Sequence, residues 1–219
     1  MAYPIVSAPY GLKPVNLIGG QVFAGQTREI PITTSSVDLT TAIFNGDVVA
    51  LASTGTIVKS ALAADTSPLV GTVGIFVGCT YTNPVTGQKL FAQYWPGFAA
   101  GTVTDAVAYV VDDPDALFQV AAVSSGTTVA YYGQTLVGNN AALVQNTGST
   151  TTGDSKIAIN GATTATTSLP MRIVAGVPDT ADANGNFCEF IVKFNFGYHS
   201  YYNACLLYTS DAADDLLCV

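Results

Sequence analysis

From Gly71 to Val123 the chain alternates short apolar segments with breaks at Asn83-Pro84, Thr86-Gly87, Pro96-Gly97, Ala100-Gly101 and Asp113-Pro114. Proline fixes φ and lacks an N–H, and glycine tolerates positive φ, so the breaks read as turns. The segments between them are rich in Val, Phe, Tyr and Thr, which suit a pleated, half-buried surface. Gln88 to Trp95 alternates Leu90, Ala92 and Tyr94 against Phe91, Gln93 and Trp95, predicting a strand that buries groups on both faces. The clearest amphipathic strand runs from Phe187 to Gly197. Cys188, Phe190, Val192, Phe194 and Phe196 share one face, while Glu189, Lys193 and Asn195 lie opposite with Phe187 and Ile191. Burying each large apolar side chain there contributes about 1.5–3 kcal/mol before entropy, which predicts a central strand. The expected core is Phe76, Phe91, Tyr94, Trp95, Tyr109, Phe118, Phe190, Val192, Phe194 and Phe196.

Elsewhere the signals are shorter. Residues 1–20 carry Pro4, Pro9 and Pro14, which exclude helix and predict an extended arm ending at Gly19-Gly20. Residues 28–33 read as an edge strand because of Pro31. Asn45-Gly46 predicts a tight turn into a strand over 47–52, and Gly55 then turns that strand into a hairpin with 56–59. Ser124 to Thr128 reads as a turn, and 129–144 leaves room for a helical turn. The polar run 146–154 (NTGSTTTGD) predicts a mobile loop. A strand over 156–159, a turn at Asn160-Gly161, a strand over 169–175 and a loop over 179–186 complete the reading. The fold class is mainly β: a sandwich or barrel-like domain over 21–204, with little helix and room for two β subdomains. No solenoid or propeller repeat is visible.

Composition changes this picture in two ways. Only 10% of the 219 residues are charged, against about a quarter in an ordinary globular chain. A membrane-spanning helix needs roughly 20 apolar residues in a row, and the best stretch, Leu69 to Val77, is interrupted by Gly71 and Gly74. The surface is therefore expected to be uncharged Thr, Ser and Gly, or covered by partners. The net charge is −8 and the seven bases are scattered singly, which argues against nucleic-acid binding. The N-terminus has no basic segment leading into an apolar one, so no secretory signal is expected.

The second change concerns residues 205–219 (CLLYTSDAADDLLCV), where the alternation stops. Cys205 to Asp214 resembles, in register and without a gap, the translation of a sequencing-library transposase adapter, and this stretch is read as a non-native tail. Residues 1–204 then carry seven bases and twelve acids, −5, with Cys79 and Cys188 as their cysteines.

Candidate chemistry is sparse. His199 stands alone in Tyr198-His199-Ser200-Tyr201-Tyr202, without the nucleophile context a catalytic histidine needs, and reads as packed or interfacial. Cys79 and Cys188 read as buried free thiols in a reducing compartment, and with one histidine they fall short of a zinc set. Asp112-Asp113-Pro114-Asp115 is the densest acidic cluster; calcium favours such carboxylates, but an acidic turn between strands is the preferred reading. Asp182-Ala183-Asn184-Gly185 has part of a calcium-loop pattern, with Ile191 where the terminal Glu belongs, and reads as a turn. Gly71, Gly74 and Gly78 lack dinucleotide spacing. No catalytic, cofactor-binding or metal-binding residue is expected, and no small-molecule substrate.

Several stretches taken together carry a resemblance: APYGLKPVNLIGGQ (8–21), FNGDVV (44–49), VGIFVGCTYTNPVTGQKLFAQYWP (73–96), AYVVDDPDALFQV (108–120), GNNAALVQNTGSTTTGDSKI (138–157), LPMRIVAG (169–176) and VKFNFGYHSYYNA (192–204). The chain is similar over nearly all of 1–204 to a family of tailed-bacteriophage virion proteins described as head decoration, or cement, proteins. The resemblance implies a non-catalytic structural protein, made in the bacterial host cytoplasm and bound to the capsid exterior. Its implied partners are the major capsid protein and copies of itself, often as trimers. It places neighbour contacts on the arm at Tyr3, Pro4, Pro9, Tyr10, Leu12 and Pro14, by strand addition. Another virion component (tail- or fibre-associated, or minor capsid) and, more remotely, a virion-bound hydrolase are the alternative readings.

Overall fold

Turn residues cut the chain into pieces too short for helices, and the computed structural model is mainly β, with 3-10 turns at 134–136, 178–180 and 200–202. It describes residues 6–32, 40–52, 54–60, 71–99, 101–165, 169–195 and 199–202. Tyr3, Pro4, Phe196 and the tail from 205 lie outside these.

One sheet closes on itself. Strand β8 (Ala116–Ser125) pairs with β11 (Ala158–Ala165), then follow β10 (Asn140–Val144), β12 (Met171–Gly176) and β13 (Glu189–Phe194), and β13 returns to β8, forming a five-stranded barrel. β11 runs parallel to β8, with Ile159 beside Ala122; the other pairings of this ring are antiparallel. β1 (Lys13–Leu17) and β9 (Thr128–Val129) add to β8 outside the ring. β13 lies between β12 and β8, the central position its apolar face predicts.

The second sheet has the order β2 (Arg28–Pro31), β7 (Val107–Val111), β5 (Thr72–Thr82), β3 (Val48–Leu51) and β4 (Ile57–Lys59), with β6 (Lys89–Ala92) attached to the far end of β5. β3 and β4 form the expected hairpin, with Ala50 opposite Val58. The Pro31 strand is an edge strand, and a single bridge from Ile32 to Ile57 draws it toward β4.

Each sheet encloses an apolar cluster, and the clusters share supports. Phe118, Phe190, Val192, Phe194, Leu143 and Ile159 fill the barrel, yet Val48, Ile75 and Val111 of the second sheet pack with them. Phe76, Trp95, Tyr81, Val110 and Ile57 form the other cluster. Ile75 and Phe76 serve different clusters by ordinary alternation, and register shifts along β5, at Gly74–Thr72 and at Phe76–Gly78, bring Val73 and Cys79 into the cluster of Phe76. An extra residue in a strand reverses which face the following side chains meet. Gly74 leaves no room for a side chain, because a Cβ there would lie 2.0 Å from the Val111 carbonyl oxygen.

Several expectations are corrected. Phe91 is 81% exposed, because β6 is a terminal strand and, among the described residues, nothing covers its outer face. Tyr94 and Tyr109 are half-buried, at the margin of the core. Asn160-Gly161 makes no chain reversal: Asn160 Oδ1 accepts from the Ala162 and Thr163 N–H groups, forming a bulge inside β11. Hydrogen bonds link the loop 146–154 to its neighbours. Ser149 N–H donates to the Asp154 carbonyl, Asn45 N–H to that of Gly153, and the Gln93 amide to the Asp154 carboxylate.

Candidate functional site

The resemblance implies neighbour contacts along the N-terminal segment. Its described part is woven into the chain's own barrel. Leu12 is fully buried in the barrel cluster, Pro9 is buried, and β1 pairs with β8, setting Pro14 opposite Phe118. Gly11 N–H donates to the Ile157 carbonyl and Leu12 N–H to that of Gly46. The Tyr10 hydroxyl donates to Glu189, and burial, reinforced by that carboxylate, holds its pKa far above the ordinary range. Pro9 and Leu12 are therefore core residues, unavailable to a neighbour. β13 takes one side of β8 over 118–121, and β1 takes the other side over 116–119.

The acidic turn lies where the chain crosses from the second sheet to the barrel, between β7 and β8. Its carboxylates point to separate partners. Asp112 pairs with Arg28 and accepts from the Tyr201 hydroxyl at 2.6 Å; Asp115 pairs with Lys193 at 2.7 Å; Asp113 accepts from the Asp115 N–H at 2.8 Å. The turn thus ties both sheets to the segment 199–202. Among the described residues, no group of three or more His, Cys, Asp and Glu side chains is arranged to hold a metal ion. Asp182 likewise serves its own turn, accepting from the Asn184 and Asn186 N–H groups at 2.8 Å, bonds that hold its pKa low.

His199 is 1% exposed, its ring between Phe194 (5.9 Å) and Tyr201 (4.9 Å), and Nδ1 accepts from the Tyr201 N–H at 3.3 Å. Burial lowers its pKa below the ordinary 6.5, against the opposing pull of the Val73 and Asp112 backbone and the Asp112 charge. The unfolded chain therefore takes up this proton first as pH falls. Stability contributed by neutral His199 is present above about pH 6.5 and is lost as pH drops from there toward the lowered value. The melting temperature should fall between pH 7 and pH 5.5, and His199→Phe should flatten that slope; an unchanged slope in the variant would exclude this histidine as its source.

A third polar group was not read from the sequence. Asp47 is fully buried, with Oδ2 accepting from the Phe44 N–H at 2.9 Å and paired with Lys59 Nζ at 2.8 Å, while Oδ1 accepts from the Ser155 hydroxyl at 2.6 Å. Ser155 Oγ in turn accepts from the Ile157 N–H at 3.0 Å. Ser155 is itself fully buried, so its hydroxyl is sealed from any substrate. Beside Lys59 opens a cleft of about 540 Å³, lined by Thr41, Phe44, Ser60, Gln145 and Thr150 among others. The signal for this cluster was weak: an Asp next to the Asn45-Gly46 turn, and a Ser 108 positions away.

Both thiols are free and buried, as expected. The Cys79 thiol is pushed up to about 12 by burial, which keeps it protonated and unreactive.

The exposed surface holds the last feature. Val85 is 90% and Phe91 81% exposed, on the β5–β6 hairpin. Asn83 Oδ1 accepts from the Val85 and Thr86 N–H groups, the Gly87 N–H donates to the Asn83 carbonyl, and Gly87 adopts φ 68°. The hairpin is thus fixed by its own turn. The alternation of 88–95 located the strand, but did not reveal that one of its faces has no covering layer. No protein-family model, curated protein or solved structure matches this chain.

Proposed function

We propose that the protein is a structural virion component that binds the outer surface of a tailed-phage capsid and stabilises it, without catalysis. The observation that carries this reading is that two large apolar side chains, Val85 and Phe91, are held out in solvent on a fixed hairpin, while the principal buried and turn carboxylates serve the fold. Asp47, Lys59, Ser155 and the acids of the 112–115 turn are engaged in holding sheets and turns together, while Val85 and Phe91 are exposed large apolar groups of the kind that mark contact surfaces. The resemblance of 8–204 to decoration proteins supplies the partner class: the major capsid protein and other copies of the chain. A weakly charged surface suits such contacts because little charge must be desolvated. Individually modest contacts are strengthened by repetition over the shell.

Because Leu12 belongs to the core, the arm is tested by removing only residues 1–7. Heads lacking the protein are incubated with the purified full chain, with the shortened chain and with Phe91→Glu, then imaged by electron cryomicroscopy. The full chain should add density to the head exterior and raise the temperature at which heads break open. Density on the tail, or none on virions, would overturn the reading. Loss of density with the shortened chain assigns the contact to the arm, and loss with Phe91→Glu assigns it to the hairpin.

A further inference from the structure

We propose that β6 is a self-association edge, through which two copies of this chain pair antiparallel about a two-fold axis centred on Phe91. β6 pairs with β5 along one side, Thr80 opposite Phe91 and Tyr81 opposite Leu90, and among the described residues no strand pairs with its other side. Proteins blunt such open edges with short strands, lysines, prolines, bulges or inward-pointing charges. β6 is short, but it has neither proline nor bulge, since its register with β5 is unbroken, and its single charge, Lys89, lies at the end of the strand two residues from Phe91. Its turn is rigid, so little entropy is lost when the edge is covered.

Charge and register select a second copy as the occupant. The chain is net acidic, but residues 83–93 hold no acid and a single base, Lys89, so two copies meet at this edge without acid against acid. A two-fold axis perpendicular to the sheet keeps each side chain on its own face, so it must pass through a residue pair. Centred on Phe91, the pairing sets Phe91 against its symmetry mate, Leu90 against Ala92, and Lys89 against Gln93 of the partner copy. Aromatic residues directly opposed across strands stabilise pairing, and no like charges meet. Centred on Leu90, Phe91 would face Lys89 instead. A strand of this length buries less than the roughly 800 Å² per partner of a standard interface, so the pair is weak in solution. The contact is two-fold and separate from the three-fold one implied by the resemblance. It does not depend on the virion reading.

The test is cysteine trapping in the full chain with Cys205→Ser and Cys218→Ser; Cys79 and Cys188 are buried and stay silent. Under mild oxidation Phe91→Cys should form a disulfide-linked dimer at least about tenfold faster than Val85→Cys, which is equally exposed but lies off the axis. Sedimentation of the wild-type chain should show a concentration-dependent dimer that Phe91→Glu abolishes, with the melting temperature unchanged because the side chain is already in solvent. Equal trapping rates, a wild-type chain monomeric at every concentration, or a trimer insensitive to Phe91→Glu would each overturn the pairing. Loss of head binding by Phe91→Glu without any self-association would instead assign this edge to a capsid subunit.

Discussion

Val192→Asp should abolish the cooperative unfolding transition and leave the chain insoluble. Val192 is fully buried on β13, opposite Phe118 on one neighbour and Ile173 on the other, inside the closed ring. The substitution loses about 1.5–3 kcal/mol of apolar burial. It also places a carboxyl group among Phe118, Phe190 and Phe194 with no hydrogen-bond partner, a change that costs several kcal/mol even in its neutral form. The sum, more than about 5 kcal/mol, rivals the whole stability of a typical domain. Gln88→Asp, at an exposed position on the hairpin, should shift stability by less than about 0.5 kcal/mol. Circular dichroism during thermal melting, with the soluble yield of both variants, checks the contrast. A soluble Val192→Asp chain with a near-native melt would mean that the barrel opens to water.

Asp47→Ala should be the second most damaging change, at about 3–5 kcal/mol. The carboxylate gathers the Phe44 N–H, the Ser155 hydroxyl and the Lys59 ammonium around one fully buried point. Removing it leaves two buried donors unsatisfied, each worth about 1–3 kcal/mol, and deprives Lys59 of its counter-charge. Because the Ser155 end lies next to Ile157 of the barrel cluster and the Lys59 end on β4, the loss loosens the seam between the sheets. Lys59→Met alone strands a buried charge and should also destabilise. The double variant Asp47→Ala/Lys59→Met should be less destabilised than the two single effects added together, the sign of a coupled pair. Urea denaturation of the four chains measures this; strict additivity would show that the two side chains act independently.

The physical difference between these two sites explains how much could be read in advance. The β13 face announced itself because period-two alternation is local: Phe190, Val192 and Phe194 share a face whatever the rest of the chain does. The β3–β4 hairpin was equally legible, since Gly55 and the turn chemistry act over a few residues. Asp47 gave no comparable signal. Its role depends on Ser155 and Lys59 arriving from two other segments, and no local pattern encodes that meeting. Phe91 failed for a related reason. Alternation correctly placed it opposite Leu90 and Ala92, but says nothing about whether a second layer will lie over that face.

A β chain of short strands with tight turns, a buried β13 and two buried internal thiols are legible in the residues alone. That β8 is the hub of a closed barrel, that Leu12 is core, and that β6 has no second partner strand among the described residues follows from long-range pairing. Turns and alternation are set by neighbours a few residues away, whereas closure, covering layers and buried polar clusters depend on which distant strands pair. That choice is made by the free energy of the whole packed arrangement.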